Sequence, residues 1–178
     1  MSTDTFDERV AVIVGSTRPT RICPGIAEWT QRKLSEQSPL RYRSIDLAEI
    51  NLTMLDEPLK AALQDYKHAH TKAWSNLISS FAGFVFVFPQ YNWGYPAALK
   101  NALDYLYYEW RDKPATTVTY GTRGGGLGAH QIRQVLDGLH MRTLSDRVEI
   151  KITDEQVDAD WQLKDLEATM SPTANNCA

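Results

Sequence analysis

Three stretches of this chain are apolar without alternation, and they constrain the fold more than any other feature. Arg9–Val14 reads RVAVIV, Phe84–Phe88 reads FVFVF and Ala115–Thr119 reads ATTVT. They end at Gly15, Pro89 and Tyr120-Gly121, respectively. A strand covered on one face alternates apolar and polar residues, whereas a strand covered on both faces does not. The runs therefore predict central strands of a parallel sheet with helices on either side. Between them, apolar residues recur at spacings of three and four, as in Ile26, Trp29 and Leu34 or Trp74, Leu77 and Ile78. This spacing predicts helices over 25–35, 70–81, 96–110 and 128–141. Weaker strands are predicted at Arg41–Ile45 and Arg147–Ile152. Asp46–Ala69 is the least regular stretch, and a short helix is expected after Asp158. Strands that alternate with helices give an α/β fold with right-handed crossovers. Five strands fit the order 2-1-3-4-5 better than a six-stranded dinucleotide fold.

Composition narrows what such a fold does. With 178 residues, the chain is expected to form one domain over 1–178, with flexible tails at 1–8 and 171–178. Nineteen basic residues against 22 acidic ones leave a net charge of −3, so a nucleic-acid partner is not expected. No apolar run approaches the roughly 18 residues of a membrane span. Met1–Glu8 is polar and acidic, unlike a secretory leader. Cys23 and Cys177 alone make no disulfide framework, so a cytoplasmic location is expected. His68 and His70 lie two apart, on opposite sides of a helix, and no metal site is predicted. No G-x-S-x-G elbow occurs, which counts against a hydrolase.

Ligands of open parallel sheets bind outside the carboxyl ends of the strands. Three loops there are unusual. The first, Gly15–Gly25, puts Ser16, Thr17, Arg18 and Arg21 ahead of a helix. Hydroxyls, backbone N–H groups and guanidinium cations at a helix N-terminus suit a phosphate. The same residues also suit an ordinary capped βα loop. Cys23 in this loop has no histidine partner in the sequence and reads as a small loop residue. The second loop, Pro89-Gln90-Tyr91-Asn92-Trp93-Gly94-Tyr95-Pro96, combines amides with aromatic faces, which suits a flat ring with polar edges. Turn formation alone accounts less well for two tyrosines and a tryptophan in so short a loop. The third loop, Tyr120–Gly128, holds half of the chain's ten glycines, so backbone can approach a ligand closely there. Its match to a loose dinucleotide fingerprint is discounted, because too little chain follows for a second βαβαβ half.

Together these loops resemble the NADPH-dependent FMN reductase family, and are especially similar to its small NAD(P)H:quinone reductases. The resemblance is carried by Gly15-Ser16-Thr17-Arg18, by Pro89–Pro96 with Leu99-Lys100-Asn101-Ala102-Leu103-Asp104, by Glu109-Trp110 and Lys113-Pro114-Ala115, and by Tyr120-Gly121 with Gly124-Gly125. It spans about Arg9 to Ile152. It implies a flavodoxin-like three-layer αβα sandwich with a five-stranded parallel sheet, binding FMN without a covalent link. By the family pattern, Ser16, Thr17, Arg18 and Arg21 hold the phosphate. Pro89, Gln90, Tyr91, Asn92 and Trp93 line the ring and ribityl chain. Tyr120, Gly121, Gly124 and Gly125 border the pyrimidine side.

The implied activity is hydride transfer from NADPH or NADH through FMN to a quinone or a flavin, with ping-pong kinetics. Tyr120 is the one side chain expected to donate a proton to a reduced quinone. Backbone N–H groups of 121–126 are expected to stabilise negative charge on the ring. Arg18, Arg111, Lys113 and Arg123 are candidates for a 2′-phosphate contact. Two alternatives share the fold: a reductase of one specific pathway intermediate, and a flavin-bound redox carrier with low turnover. A homodimer is also implied, through the 96–110 helix with its Tyr95, Tyr105, Tyr107, Tyr108 and Trp110.

Overall fold

The computed structural model describes residues 9–174. Its strands are β1 (Arg9–Val14), β2 (Arg41–Asp46), β3 (Gly83–Pro89), β4 (Pro114–Gly121), β5 (Arg142–Thr143) and β6 (Val148–Lys151). Its helices are α1 (Cys23–Gln37), α2 (Leu47–Ile50), α3 (Ala69–Ser79), α4 (Ala97–Asp104), α5 (Gly126–Gly138) and α6 (Leu166–Ala174). All strand pairs are parallel, in the order β2-β1-β3-β4. The fifth place is filled twice along one edge of β4. There β5 pairs Pro114–Ala115 and β6 pairs Val118–Gly121. The predicted order thus holds, while the single predicted fifth strand is two short ones.

The FVFVF run shows why unalternating sequence still specifies two faces. Phe84, Phe86 and Phe88 point to one side, against α3, α4 and α5. Val85 and Val87 point to the other, against Ile26 and Trp29 of α1 and Met170 of α6. Both faces are apolar, so every residue of β3 is buried. Three layers result, as the resemblance implied.

The predicted helix over 96–110 ends early, at Asp104. Beyond it the chain folds back, and the Trp110 indole N–H donates to the Leu103 carbonyl at 3.2 Å. That bond takes up a carbonyl left without an intrahelical partner at the helix end. Tyr105 and Trp110 are fully buried in the core, and of the five aromatic residues assigned to a self-association face only Tyr108 is well exposed. Core packing therefore accounts for most of that aromatic set. The irregular stretch 51–68 becomes an arm laid against α4. Asn101 holds it through the Thr53 carbonyl (2.7 Å) and the Leu55 N–H (2.9 Å). The buried Glu109 carboxylate accepts from Tyr66 of the arm (2.9 Å) and from Ser75 of α3 (2.6 Å).

Ser171 to Ala174 continue α6 rather than forming a tail. The tails expected at 1–8 and 175–178 lie outside the described residues. Among the described residues, no helix is long and apolar enough to cross a membrane.

Candidate functional site

All three predicted loops meet at the carboxyl edge of the sheet. The first leaves β1 with the Gly15 N–H bonded to the Val87 carbonyl at 2.8 Å, which draws the loop against β3. Ser16 is fully buried and shares a 2.9 Å hydrogen bond with the Tyr91 hydroxyl, linking the first loop to the second. The α1 N-terminus has no side-chain cap and no acidic residue in its first turn. Pro24 has no N–H, so the N–H groups of Cys23 and Gly25 and the positive dipole end are left for an anion. Arg18 and Thr17 are exposed. Arg21 is different: its Nη2 lies 2.5 Å from Asp46, at the end of β2, and both side chains are less than one-fifth exposed. Asp46 offsets much of its charge, so Arg18 is the freer cation of the loop.

The second loop is a tight turn closed by reciprocal Tyr91–Gly94 backbone bonds of 2.9 Å. Its central residues, Asn92 and Trp93, have φ of 45° and 72°. Asparagine tolerates this region, whereas a tryptophan there is strained. Trp93 is also 68% exposed. Gln90 does not present its carbonyl to the ring space. Its Oε1 accepts from the N–H groups of Leu127 and Gly128, both at 3.1 Å, and so caps α5 from outside. Only its amide nitrogen is left for a ligand.

In the third loop the Gly124 N–H is taken by the Gly121 carbonyl at 3.0 Å. Those of Leu127 and Gly128 are taken by Gln90. The N–H groups of Thr122, Arg123, Gly125 and Gly126 make no bond within the described residues. The expected donors over 121–126 therefore narrow to these. Gly124 is buried in the turn. Gly125 is sterically required: at φ 83°, an added Cβ would sit 2.8 Å from the Thr119 Cβ. Gly121 differs, since an added Cβ there would meet nothing within 4 Å.

The loops enclose two adjoining spaces. A cleft of about 260 Å³ lies between Arg18, Thr20 and Arg21 on one side and Tyr91, Tyr120 and Gly121 on the other. A second cavity of about 630 Å³ opens over Asn92, Trp93, Arg123, Gly125 and Leu127. Gln90, Gly121 and Thr122 line both. Thr17 and Gly124 line neither.

A buried thiol, Cys23, lies beside the Tyr120 phenol that lines the cleft. Burial pushes the Cys23 thiol up to about 11, and its Sγ donates to the Val87 carbonyl at 3.2 Å. It is therefore not an activated nucleophile. Tyr120 is 5% exposed, and burial, then its neighbour Cys23, push its phenol far above the usual value. A phenol so placed holds its proton more tightly than an exposed one. Of the 2′-phosphate candidates, Lys113 bonds the Ile78 carbonyl at the end of α3 (3.0 Å) and Arg111 pairs with Asp112. Arg18 and Arg123 remain at the site. Among the described residues, no group of three or more His, Cys, Asp or Glu side chains is placed to hold a metal ion.

The structure adds residues that were not predicted. Ile152, Asp154, Val157 and Trp161 wall the cleft from the loop after β6. The rule that placed the other three loops at the site applies equally to this fourth βα loop. Its lack of glycine, arginine and clustered aromatic residues gave no compositional signal.

These features fit an FMN-sized ligand. The cleft offers an uncapped helix end and a free guanidinium for a phosphate. The buried Arg21 Nε has no hydrogen-bond partner within the described residues. The open space above Gly121 is one that a side chain would fill.

Comparison with known proteins bears on the same residues. Residues 9–153 match the family model for NADPH-dependent FMN reductase. A NAD(P)H-dependent FMN reductase of Schizosaccharomyces pombe is 46% identical over 136 residues, covering 75% of this chain and 68% of the relative. One of Saccharomyces cerevisiae is 40% identical over 155 residues, 81% of each chain. Among solved structures, a flavoenzyme NAD(P)H:(acceptor) oxidoreductase of Paracoccus denitrificans superposes with a TM-score of 0.71 at 22% identity, over 94% of this chain and 92% of that one. At that identity the likeness speaks for the fold.

Proposed function

The chain belongs to the NADPH-dependent FMN reductase family, and from that premise we propose that it moves hydride from NAD(P)H to quinones or flavins by ping-pong kinetics. When bound, FMN supplies the hydride-accepting and hydride-donating chemistry. The chain's own residues bind, orient and shield. The observation that carries this reading is that two adjoining spaces, which share Gln90, Gly121 and Thr122, bring Arg18 and the N-cap residue of the uncapped α1 together with the glycine loop.

Arg18 and the α1 N–H groups hold the phosphate, with Ser16 fixing the loop against Tyr91. Thr17 stands at the loop's solvent side. Arg21, anchored by Asp46, contributes its remaining N–H groups. Pro89 and Tyr91 floor the ribityl path, and Gln90 offers its amide N–H to the ring edge. Asn92 and Trp93 wall the second cavity, where donor and acceptor would take turns. The free N–H groups of Thr122, Arg123, Gly125 and Gly126 would stabilise negative charge on the pyrimidine side. Gly124 shapes that loop without touching the ligand. Tyr120 is a neutral wall and positioning residue, so the acceptor takes its proton from water.

The described fold is read as a single working unit that acts as a homodimer. The face of self-association moves from the aromatic residues after α4 to the arm laid against it. Met54, Leu55, Leu59 and Leu63 are all exposed on that arm. Clustered apolar exposure of this kind fits burial by a second copy.

Initial rates with NADPH and a quinone, each varied at several fixed levels of the other, test the reaction order. Parallel double-reciprocal lines are expected. Intersecting lines would replace the ping-pong reading with a ternary complex.

A further inference from the structure

The family match stops at residue 153, yet the chain beyond it returns to the site. Thr153 and Gln156 form a capping box around a single turn at Asp154–Gln156. The chain then doubles back, with Val157 bridging Leu163 in antiparallel fashion. Asp158 braces the tip. Its Oδ1 accepts from the N–H groups of Asp160 and Gln162, both at 2.9 Å, and its carbonyl accepts from the Trp161 N–H at 3.1 Å. Val157 is buried in the core beside Ile150 and Ile152, so the base of this hairpin is fixed. Gln162 ties the tip to the first loop, its Nε2 donating to the Thr20 carbonyl at 3.3 Å.

Trp161 is the residue this scaffold displays. It is 57% exposed, lines the cleft and sits at φ 59°. Held there by the brace, a tryptophan pays backbone strain and exposes a large apolar ring without supporting the core, a role that Val157 fills. Strain and apolar exposure together at a cleft wall mark a residue kept for a ligand. The bond of its neighbour Gln162 to the Thr20 carbonyl says which part of the ligand. Trp161 shares the cleft with Arg18, Thr20 and Arg21, whereas Asn92, Trp93 and Arg123 line the other cavity.

We propose that Trp161 covers the phosphate and ribityl end of the bound FMN and slows its release, a retaining wall supplied from outside the family match. The inference rests on the FMN reading above. It assigns Trp161 to holding the cofactor, not to choosing the acceptor. The hairpin is tied to the phosphate loop, so the wall and the anion site are positioned together.

The test is titration of flavin-free protein with FMN, read by quenching of FMN fluorescence, together with the release rate after dilution. Trp161→Ala should raise the Kd roughly tenfold, about 1.4 kcal/mol, mainly through faster release. Trp161→Phe, which keeps a flat apolar face, should stay within about threefold of wild type. Trp161→Gly removes the wall and also relieves the positive φ, so this variant should fold at least as stably as wild type while binding FMN as weakly as the alanine variant. Wild-type Kd and release rate in both the alanine and glycine variants would overturn the inference alone. So would an unchanged Kd with a raised KM for the quinone, which would move Trp161 to the acceptor side. If wild type binds no FMN, the flavin reading falls and this inference with it.

Discussion

At the scale of single residues, the site is set by how backbone and burial restrict each group. Gly121 and Gly125 stand four residues apart and separate ligand space from fold space. Gly125→Ala places a Cβ 2.8 Å from the Thr119 Cβ at φ 83°. It should cost about 2–4 kcal/mol of stability by denaturant unfolding, from strain and overpacking combined. Gly121→Ala meets no neighbour, so it should lose only about 1 kcal/mol to its φ of 156° while weakening FMN binding. Equal stability losses in the two variants would contradict this division. Cys23 makes a second prediction. In a Cys177→Ser background at pH 8, a thiol pushed up to about 11 is roughly one part in a thousand thiolate. Alkylation by iodoacetamide should therefore run at least roughly 100-fold slower than in the urea-unfolded protein. The linkage has the matching sign. The folded thiol keeps its proton after the unfolded one has lost it, so this burial favours folding below about pH 9, and that advantage is lost as pH rises from there through 11. Rapid labelling in the native state would mean that Cys23 is open to the cleft.

At the scale of elements, the proposed site is built on helix ends rather than helix faces. Arg18→Ala removes the loop's free cation from the α1 N-terminus and should raise the FMN Kd roughly 10- to 100-fold, with little change in Tm. An unchanged Kd by the same fluorescence titration would place the phosphate elsewhere. Gln90→Leu removes the outside cap of α5 and should cost about 1 kcal/mol in denaturant unfolding. That role was not legible in the sequence, because Gln90 and Leu127 are 37 residues apart and only the folded sheet brings their loops together. The central strands were legible, since FVFVF offers apolar residues to both faces and has no other stable use. The end of α4 was not legible because Leu106, Tyr107 and Trp110 continue the helical spacing of Leu99 and Leu103. The Tyr105 and Trp110 rings serve a folded-back turn whose partners, Thr53 and Leu103, the periodicity does not reveal. The first and third loops stood out by composition, arginines with hydroxyls in one and glycines in the other, and the strand order brings both to the sheet edge. The loop after β6 did not stand out, since its contribution depends on where the hairpin docks.

At the scale of the whole molecule, the sheet edge gathers four βα loops into one site, and the arm from 51 to 68 leaves apolar residues at the surface beside α4. If a second copy covers that arm, exchanging Met54 and Leu59 for serine should shift the protein from dimer to monomer in sedimentation velocity runs. A monomeric wild type would contradict the assignment of this face. On the proposed reading the loops serve one chemistry: the phosphate end would lie under Arg18 and Trp161, the ring end beside the glycine loop, and donor and acceptor would alternate in the open cavity. The most direct test of that account is the visible absorption spectrum of FMN-loaded, desalted protein, recorded without oxygen before and after addition of NADPH or NADH. The account predicts a retained flavin band that bleaches with one or both donors and returns when a quinone is added. A protein that retains no flavin band after incubation with FMN would contradict it.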